Sequence, residues 1–180
     1  MLDVLTRAAQ PTDIAAVTAI YAHAVTYGTA SFETVAPDIA EMMRRYEKLR
    51  AGAYPYIVAQ CADAVIGYAY AGPYRERAAY RWSLETSIYV APQFHGRGVG
   101  RTLLDTLIRE AERGGFRQMI AVIGDSANMS SIRLHAAAGF RLVGTLDSVG
   151  FKFGRWLDSV LMQRPLGEGA ASVAGNSRES

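Results

Sequence analysis

Between Ser87 and Leu107 the chain reads Ser-Ile-Tyr-Val-Ala-Pro-Gln-Phe-His-Gly-Arg-Gly-Val-Gly-Arg-Thr-Leu-Leu-Asp-Thr-Leu, and no other stretch restricts the fold as much. The β-branched and aromatic run from Ser87 to Val90 predicts a strand that Pro92 ends, and the spacing of Val99, Leu103, Leu104, Leu107, Ile108 and Ala111 predicts a helix. Gly96, Gly98 and Gly100 lie between the two. Glycines placed there clear side chains away from backbone N–H groups ahead of a helix N-terminus, which is the geometry that cradles phosphate oxygens. A Walker A loop would end in Gly-Lys-Ser/Thr, and a dinucleotide fingerprint would need glycine where Arg101 stands. Both common nucleotide loops fail on spacing. The plainer alternative is a glycine-rich turn joining a strand to a packing helix.

The 180 residues suit one domain with a substantial core, since half are hydrophobic and a fifth charged. A net charge of +2 argues against a nucleic-acid partner, although Arg97, Arg101, Arg109 and Arg113 make the loop and its helix locally basic, as suits a small anionic ligand. Cys61 is the single cysteine, which rules out a disulfide framework within one chain and points to a reducing cytoplasm. No run of about 18 apolar residues predicts a membrane span, and no basic and apolar leader opens the chain. His23, His95 and His135 show no metal-pair spacing and no Gly-x-Ser-x-Gly elbow occurs, so neither metal nor serine-nucleophile chemistry is expected.

Taken in order, Val4 to Ala8 predicts a strand, and Pro11-Thr12-Asp13 opens a helix with Ile14, Val17, Ile20, Tyr21, Ala24 and Val25 on one face, ended by Gly28. Phe32 is the lone aromatic of the polar loop that follows, either a packing anchor or a wall of an acceptor pocket. Asp38 and Glu41 start a second helix that runs to Gly52. Tyr56 to Gln60 and Ala64 to Tyr70 predict a hairpin turning at Ala62-Asp63. In the strand before the glycine loop, Trp82, Leu84, Thr86, Ile88 and Val90 alternate with Ser83, Glu85, Ser87 and Tyr89, which sets a carboxylate on the same side as two hydroxyls. The wet face of a half-exposed strand would explain that, but a strand feeding the phosphate loop should be central. Gln118 to Ile123 predicts a buried strand, Asn128 to Gly139 a short helix, and Arg141–Thr145, Asp147–Phe153 and Arg155–Gln163 three further strands. Residues 1–166 form one expected domain, and the Gly-, Ala-, Ser- and Glu-rich residues 167–180 are expected to be a disordered tail.

The loop His95-Gly-Arg-Gly-Val-Gly100 resembles the Gln/Arg-x-x-Gly-x-Gly/Ala loop of the GCN5-related N-acetyltransferases, with histidine in place of the first residue. Asn128 to Phe140 is similar to a second motif of that family, with His135 where tyrosine is usual. Ala71-Gly-Pro, Glu85, Val122-Ile-Gly, His135 and Val149-Gly-Phe-Lys-Phe-Gly-Arg-Trp together resemble its phosphinothricin and methionine sulfoximine N-acetyltransferase branch, over residues 4 to 164. The resemblance implies an α/β (α+β) acyl-CoA N-acyltransferase fold, a central, mixed, mostly antiparallel twisted sheet of about seven strands flanked by about four helices. It implies acetyl-CoA as co-substrate, no metal, a small amine as acceptor, and a homodimer.

By the same resemblance, Ile88, Tyr89 and Val90, the loop residues His95, Gly96, Arg97, Gly98, Val99, Gly100 and Arg101, and Asn128 with Ser131 bind the coenzyme. Phe32, Arg75, Glu76, Arg77, Glu85, Thr86 and Ser87 are the implied acceptor contacts. An amine with a pKa near about 8 is only about one tenth neutral at pH 7, so attack on a thioester needs a base. Glu85 is the candidate, directly or through water, with orientation of the ammonium as its competing role. His135 is a candidate proton donor or hydrogen-bond partner of Glu85, or a structural histidine. Lys152 and Arg155 are further candidates for acceptor carboxylate or phosphinate oxygens. The alternatives are a protein N-terminal or lysine acetyltransferase, which needs a wide acceptor groove, and a non-catalytic acyl-CoA-binding module, which would show no turnover.

Overall fold

The computed structural model describes residues 3–173. In chain order these form β1 (Leu5–Ala8), α1 (Ile14–Tyr27), α2 (Ile39–Ala51), β2 (Tyr56–Cys61), β3 (Ala64–Pro73), β4 (Ser83–Val90), α3 (Val99–Arg113), β5 (Gln118–Gly124), α4 (Met129–Ala137), β6 (Arg141–Lys152) and β7 (Arg155–Pro165). The seven strands make one sheet in the order β1-β2-β3-β4-β5-β7-β6. Every neighbouring pair is antiparallel except β4 and β5, which are parallel and joined through α3.

Local chemistry sets the helix ends. Asp38 caps α2 by accepting from the Glu41 N–H at 2.8 Å. Gly28 ends α1 and donates its N–H to the Ala24 carbonyl at 3.0 Å. Between β1 and α1, the buried Asp13 accepts from both Arg7 nitrogens at 2.7 and 2.8 Å and from the Gln10 N–H at 2.7 Å.

The sheet separates two apolar layers. On one face α3 places Val99, Leu103, Leu104, Leu107 and Ala111 against Leu84, Ala121 and Met162. On the other, α1 and α2 cover only the β2–β4 half, packing Ile14, Val17, Met42 and Tyr46 on Tyr56, Val58 and Tyr68. Among the described residues no helix covers the remaining half of that second face, and Val122 is 36% exposed there. The buried strand expected at Gln118–Ile123 is therefore buried on one face only.

One boundary differs from expectation. Arg141–Thr145 and Asp147–Phe153 form the single strand β6, bent at register shifts between Leu142 and Gly144 and between Leu146 and Gly150. The two expected strands merge because irregularities of this kind bend a strand without ending its pairing. Of the expected tail, residues 167–173 form turns held by Arg117, which donates to the Ser172 hydroxyl at 2.8 Å, while residues 174–180 lie outside the described residues.

The hydrogen bond from Arg7 holds the Asp13 carboxyl below its usual 3.8 against the opposing effect of burial. A carboxylate with a depressed native pKa contributes stability that is present above the unfolded value and lost as pH falls through the native one. Asp13→Ala should cost about 2 kcal/mol at neutral pH by urea denaturation. The gap to wild type should narrow below about pH 3.8.

Candidate active site

The parallel pairing of β4 with β5 is short. Ser83–Thr86 pair with Gln118–Ala121, but β4 continues to Val90 and β5 to Gly124 without further pairing. The strands part beyond Thr86, and Ser87–Val90 keep β3 on one edge while the other edge faces the opening. Backbone groups there are available to a ligand lying in the split. Two buried polar atoms without partners flank it on the α3 face, Thr86 Oγ1 and His135 Nε2.

The glycine loop sits at the mouth of this split. His95 Nε2 lies 2.8 Å from the Val90 carbonyl and ties the loop to the strand end. Gly96 and Gly98 adopt φ of 70° and 84°, which L-residues seldom adopt, and the space beside each is open. The 15-residue helix α3 starts directly after Gly98 with no side-chain cap, so its first N–H groups stay free to meet an anion. Val99 is buried and anchors the helix, and Gly100 lets Leu134 of α4 approach to 3.4 Å of where a Cβ would stand. The exposed Arg97 lies over the Phe94 ring, 5.9 Å from its centre. Arg101 is engaged internally, bonding Asp105 at 2.7 Å and the Ala137 carbonyl at 3.0 Å. An uncapped helix start behind open glycines, beside a strand edge without a partner, fits a phosphate-bearing coenzyme.

Glu85 lies on the opposite sheet face. Leu84 and Ile88 pack into the α3 layer, whereas Tyr89 packs into the α1–α2 layer, so Glu85 and Ser87 share the Tyr89 side. Thr86 falls on the α3 side and is not brought together with them. Gly72 stands directly across from Glu85, and a Cβ there would come within 3.1 Å of Leu49 on α2, so the helix closes over this side. Burial raises the Glu85 carboxyl above its usual 4.5, opposed by the positive charge of Arg75. Arg75 is exposed, 4.4 Å over the Tyr74 ring, and Glu76 and Arg77 are exposed on the same loop. A cavity of about 220 Å³ bounded by Tyr74, Tyr80, Ser83, Ile120, Leu161 and Gln163 among others lies at the start of the β4–β5 pairing, where Ser83 meets Gln118.

Phe32 reaches this same face. A Cβ on Gly124 would stand 2.9 Å from its ring and one on Gly150 2.5 Å, so the ring fills a slot made by two missing side chains. Gly124 follows Ile120 and Val122 on the side of Glu85, so Phe32 stands beyond Glu85 at the far end of the split. Packing anchor and pocket wall, the two roles open for Phe32 in the sequence, are compatible at this position.

His135 lies across the sheet from Glu85, because Ala138 and Phe140 at the end of α4 belong to the α3 layer. Its Nδ1 is 2.8 Å from the Ser131 carbonyl, which places the proton on Nδ1 and leaves Nε2 as a bare acceptor. Burial lowers its pKa below the usual 6.5, partly offset by that hydrogen bond, which favours the neutral ring. Asn128 caps α4 by accepting from the Ser131 N–H at 3.3 Å and the Ser130 hydroxyl at 3.0 Å. Lys152 and Arg155 are both engaged within the protein, Lys152 with the carbonyls of Gly28 and Ser31 and Arg155 with Asp125.

Sequence reasoning missed the network that backs the Phe32 loop. Glu33 accepts from Arg45 at 2.7 Å and from Tyr21 at 2.8 Å, and Tyr21 sets its ring edge-on to Tyr89, 4.9 Å between centres. Tyr70 stands directly across from Ser87 on the neighbouring strand, two positions from Glu85. These residues are far apart in sequence and carry no shared spacing. Among the described residues no group of three or more His, Cys, Asp or Glu side chains is placed to hold a metal ion, and no helix is long and apolar enough to cross a membrane.

The family described as Acetyltransferase (GNAT) domain matches residues 6–161. Phosphinothricin N-acetyltransferase of Alcaligenes faecalis is 56% identical over 167 residues, covering 93% of this chain and 85% of that protein. L-methionine sulfoximine/L-methionine sulfone acetyltransferase of Salmonella typhimurium is 42% identical over 168 residues, covering 93% and 98%. Among solved structures, a GNAT superfamily phosphinothricin acetyltransferase from Sinorhizobium meliloti in complex with AcCoA superposes with a TM-score of 0.94 at 46% identity, over 98% of this chain and 95% of that one. A family match over most of the chain, relatives at 42–56% identity and a shared fold agree, and the chain belongs to the GNAT acetyltransferase family.

Proposed function

We propose that this chain transfers the acetyl group of acetyl-CoA to the α-amino group of a small amino-acid-like acceptor such as phosphinothricin, methionine sulfoximine or methionine sulfone, with Glu85 as general base. The observation that carries the reading is a half-buried carboxylate of raised pKa on the face of β4 where its pairing with β5 ends. Relatives whose names specify these acceptors cover most of the chain at up to 56% identity.

The coenzyme would be held by the loop backbone from His95 to Arg101, by the edge of Ile88, Tyr89 and Val90, and at α4 by Asn128 and Ser131. It supplies an acetyl group on a thiol, which leaves readily because thiols are far more acidic than amines. Glu85 takes the proton that keeps the acceptor amine from attacking, and its raised pKa brings it closer to working pH. A backbone N–H within Ile88–Val90 meets the charge that collects on the acyl oxygen, a contribution of about 3 kcal/mol for donors of this type. Arg75, with Glu76 and Arg77 beside it, would orient the acceptor's carboxylate through charge-assisted hydrogen bonds. His135, neutral and on the other face, offers an acceptor on the sulfur side and not a proton.

The protein works as a homodimer in this reading. The β6–β7 hairpin forms one end of the sheet and exposes Leu146, Val149, Phe151, Phe153 and Trp156, each about half or more accessible. An apolar patch of this kind at a sheet edge is what a second copy would cover. A cytoplasmic setting suits the single cysteine, Cys61.

Three measurements test this. Gly98→Val should raise the KM for acetyl-CoA about tenfold or more and leave the acceptor KM nearly unchanged, because valine is strained at φ 84° and crowds the cradle. Equal acetyl-CoA affinity would sink the assignment. In sedimentation the wild type should run at twice the 19.5 kDa of one chain and Trp156→Glu should run as a monomer, while a wild-type monomer removes the dimer. Glu85→Gln should keep acetyl-CoA affinity and lose about two to four orders of magnitude in turnover near neutral pH. The wild-type to variant ratio should shrink from about pH 7 to about pH 9.5, as free amine becomes abundant without help. A flat ratio would mean that Glu85 orients the acceptor and does not take its proton.

A further inference from the structure

Lys152, the last residue of β6, is 5% exposed. Its Nζ donates to the Gly28 carbonyl at 2.9 Å and to the Ser31 carbonyl at 2.8 Å, with Glu33 acting on it at longer range. Burying an ammonium is costly, and here two carbonyl dipoles supply most of the compensation. Those carbonyls bracket Thr29 and Ala30, which belong to neither a helix nor a strand. The clamp therefore joins two parts of the chain more than 120 residues apart at the point where α1 gives way to a loop.

The same loop carries Phe32, whose ring occupies the slot over Gly124 and Gly150. Gly150 lies two residues before Lys152 on β6, so one strand supplies both the slot and the clamp. At the next position Glu33 is fastened by Arg45 and Tyr21. Glu33 and Phe32 are thus held from different sides, and among the described residues Lys152 is the charged group seen to link the start of the loop to β6. Phe32 stands on the Glu85 face at the far end of the split, so any shift of this loop changes the length of the acceptor site there.

We propose that Lys152 is a positioning residue for the acceptor: by holding the Gly28 and Ser31 carbonyls from the end of β6 it sets where Phe32 stands over the Gly124–Gly150 slot, and it does so without touching the acceptor. The inference rests on the reading of the split as the acetyl-transfer site. A direct role for Lys152 on the acceptor's carboxylate is the competing account, and it predicts a different coupling to Phe32.

The test uses the full chain with methionine sulfone and phosphinothricin as acceptors. Lys152→Met keeps the stem and removes the donor. It should raise the acceptor KM about tenfold, leave the acetyl-CoA KM within about twofold, and speed hydrogen exchange of amides 29–33 but not of 96–101. Lys152→Arg should restore part of the loss. Combined with Phe32→Ala, the effect on acceptor KM should be smaller than the product of the two single effects, since both act through one ring position. Effects that multiply, an unchanged acceptor KM, or equal rises in both KM values would overturn the proposal. If Lys152→Met fails to fold, Gly150→Ala displaces the Phe32 ring with Lys152 intact and should give the same split, and an unchanged acceptor KM there overturns the proposal as well. If the wild type acetylates neither acceptor, the functional reading fails on its own, and exchange at 29–33 still decides whether Lys152 holds the loop.

Discussion

The site depends on a pairing that stops early. In a sheet whose other neighbours are antiparallel, β4 and β5 run parallel and separate after Thr86. Parallel strands need a crossover, and α3 supplies it, so the helix that begins at the glycine loop is also the one that packs behind the split. One topological requirement thus places the uncapped helix start, the edge of Ser87–Val90 and the Glu85 carboxylate around one opening. A continuous sheet would have satisfied those backbone groups internally and left no edge for a ligand.

Charge is arranged to leave one carboxylate unlike the rest. Burial pushes Glu33 upward, but hydrogen bonds from Arg45 and Tyr21 hold it below its usual value. Asp125 is likewise pushed up by burial and held low by the Ala127 N–H and by Arg155. The hydrogen bond from Arg7 keeps Asp13 low. Those three are structural fasteners at loop and helix junctions. Glu85 has only the field of the exposed Arg75 against its burial, and its carboxyl moves up. In the proposed reading, where Glu85 takes a proton from the acceptor, that weaker compensation matters, since a firm arginine partner would hold it ionised and make it a poor base.

The two faces of the split carry different chemistry. On the Glu85 side are tyrosines, Ser87, the Phe32 loop and the cavity at Tyr74 and Tyr80. On the other are α3, α4, the neutral His135 and the unpartnered Thr86 hydroxyl. In the proposed reading, acceptor and coenzyme approach from opposite sides of one sheet and meet where it opens. The hairpin that ends the sheet joins this arrangement, because β6 carries an exposed apolar surface and also ends in Lys152, which holds the Phe32 loop.

The sequence alone determined the elements and the ends of the site that are local in the chain. The period of Val99, Leu103, Leu104 and Leu107, the glycines before it and the alternation through Glu85 were all legible, because helix and strand periods and φ-permissive positions are properties of neighbouring residues. The order of elements and the family resemblance followed from those same local marks. The early end of the β4–β5 pairing was not legible, nor was the merging of two expected strands into β6. Thr86 was grouped with Glu85 and Ser87 as an acceptor contact by resemblance, whereas the alternation set it on the Leu84 side, and the structure keeps it in the α3 layer. Lys152 and Arg155 were read as ligands for an acceptor, but each already has partners within the chain, at Gly28 and Ser31 and at Asp125. Only the tertiary structure decides such matters, because whether a charge is free or engaged depends on groups more than a hundred residues away for Lys152 and thirty for Arg155, and no local pattern records that distance.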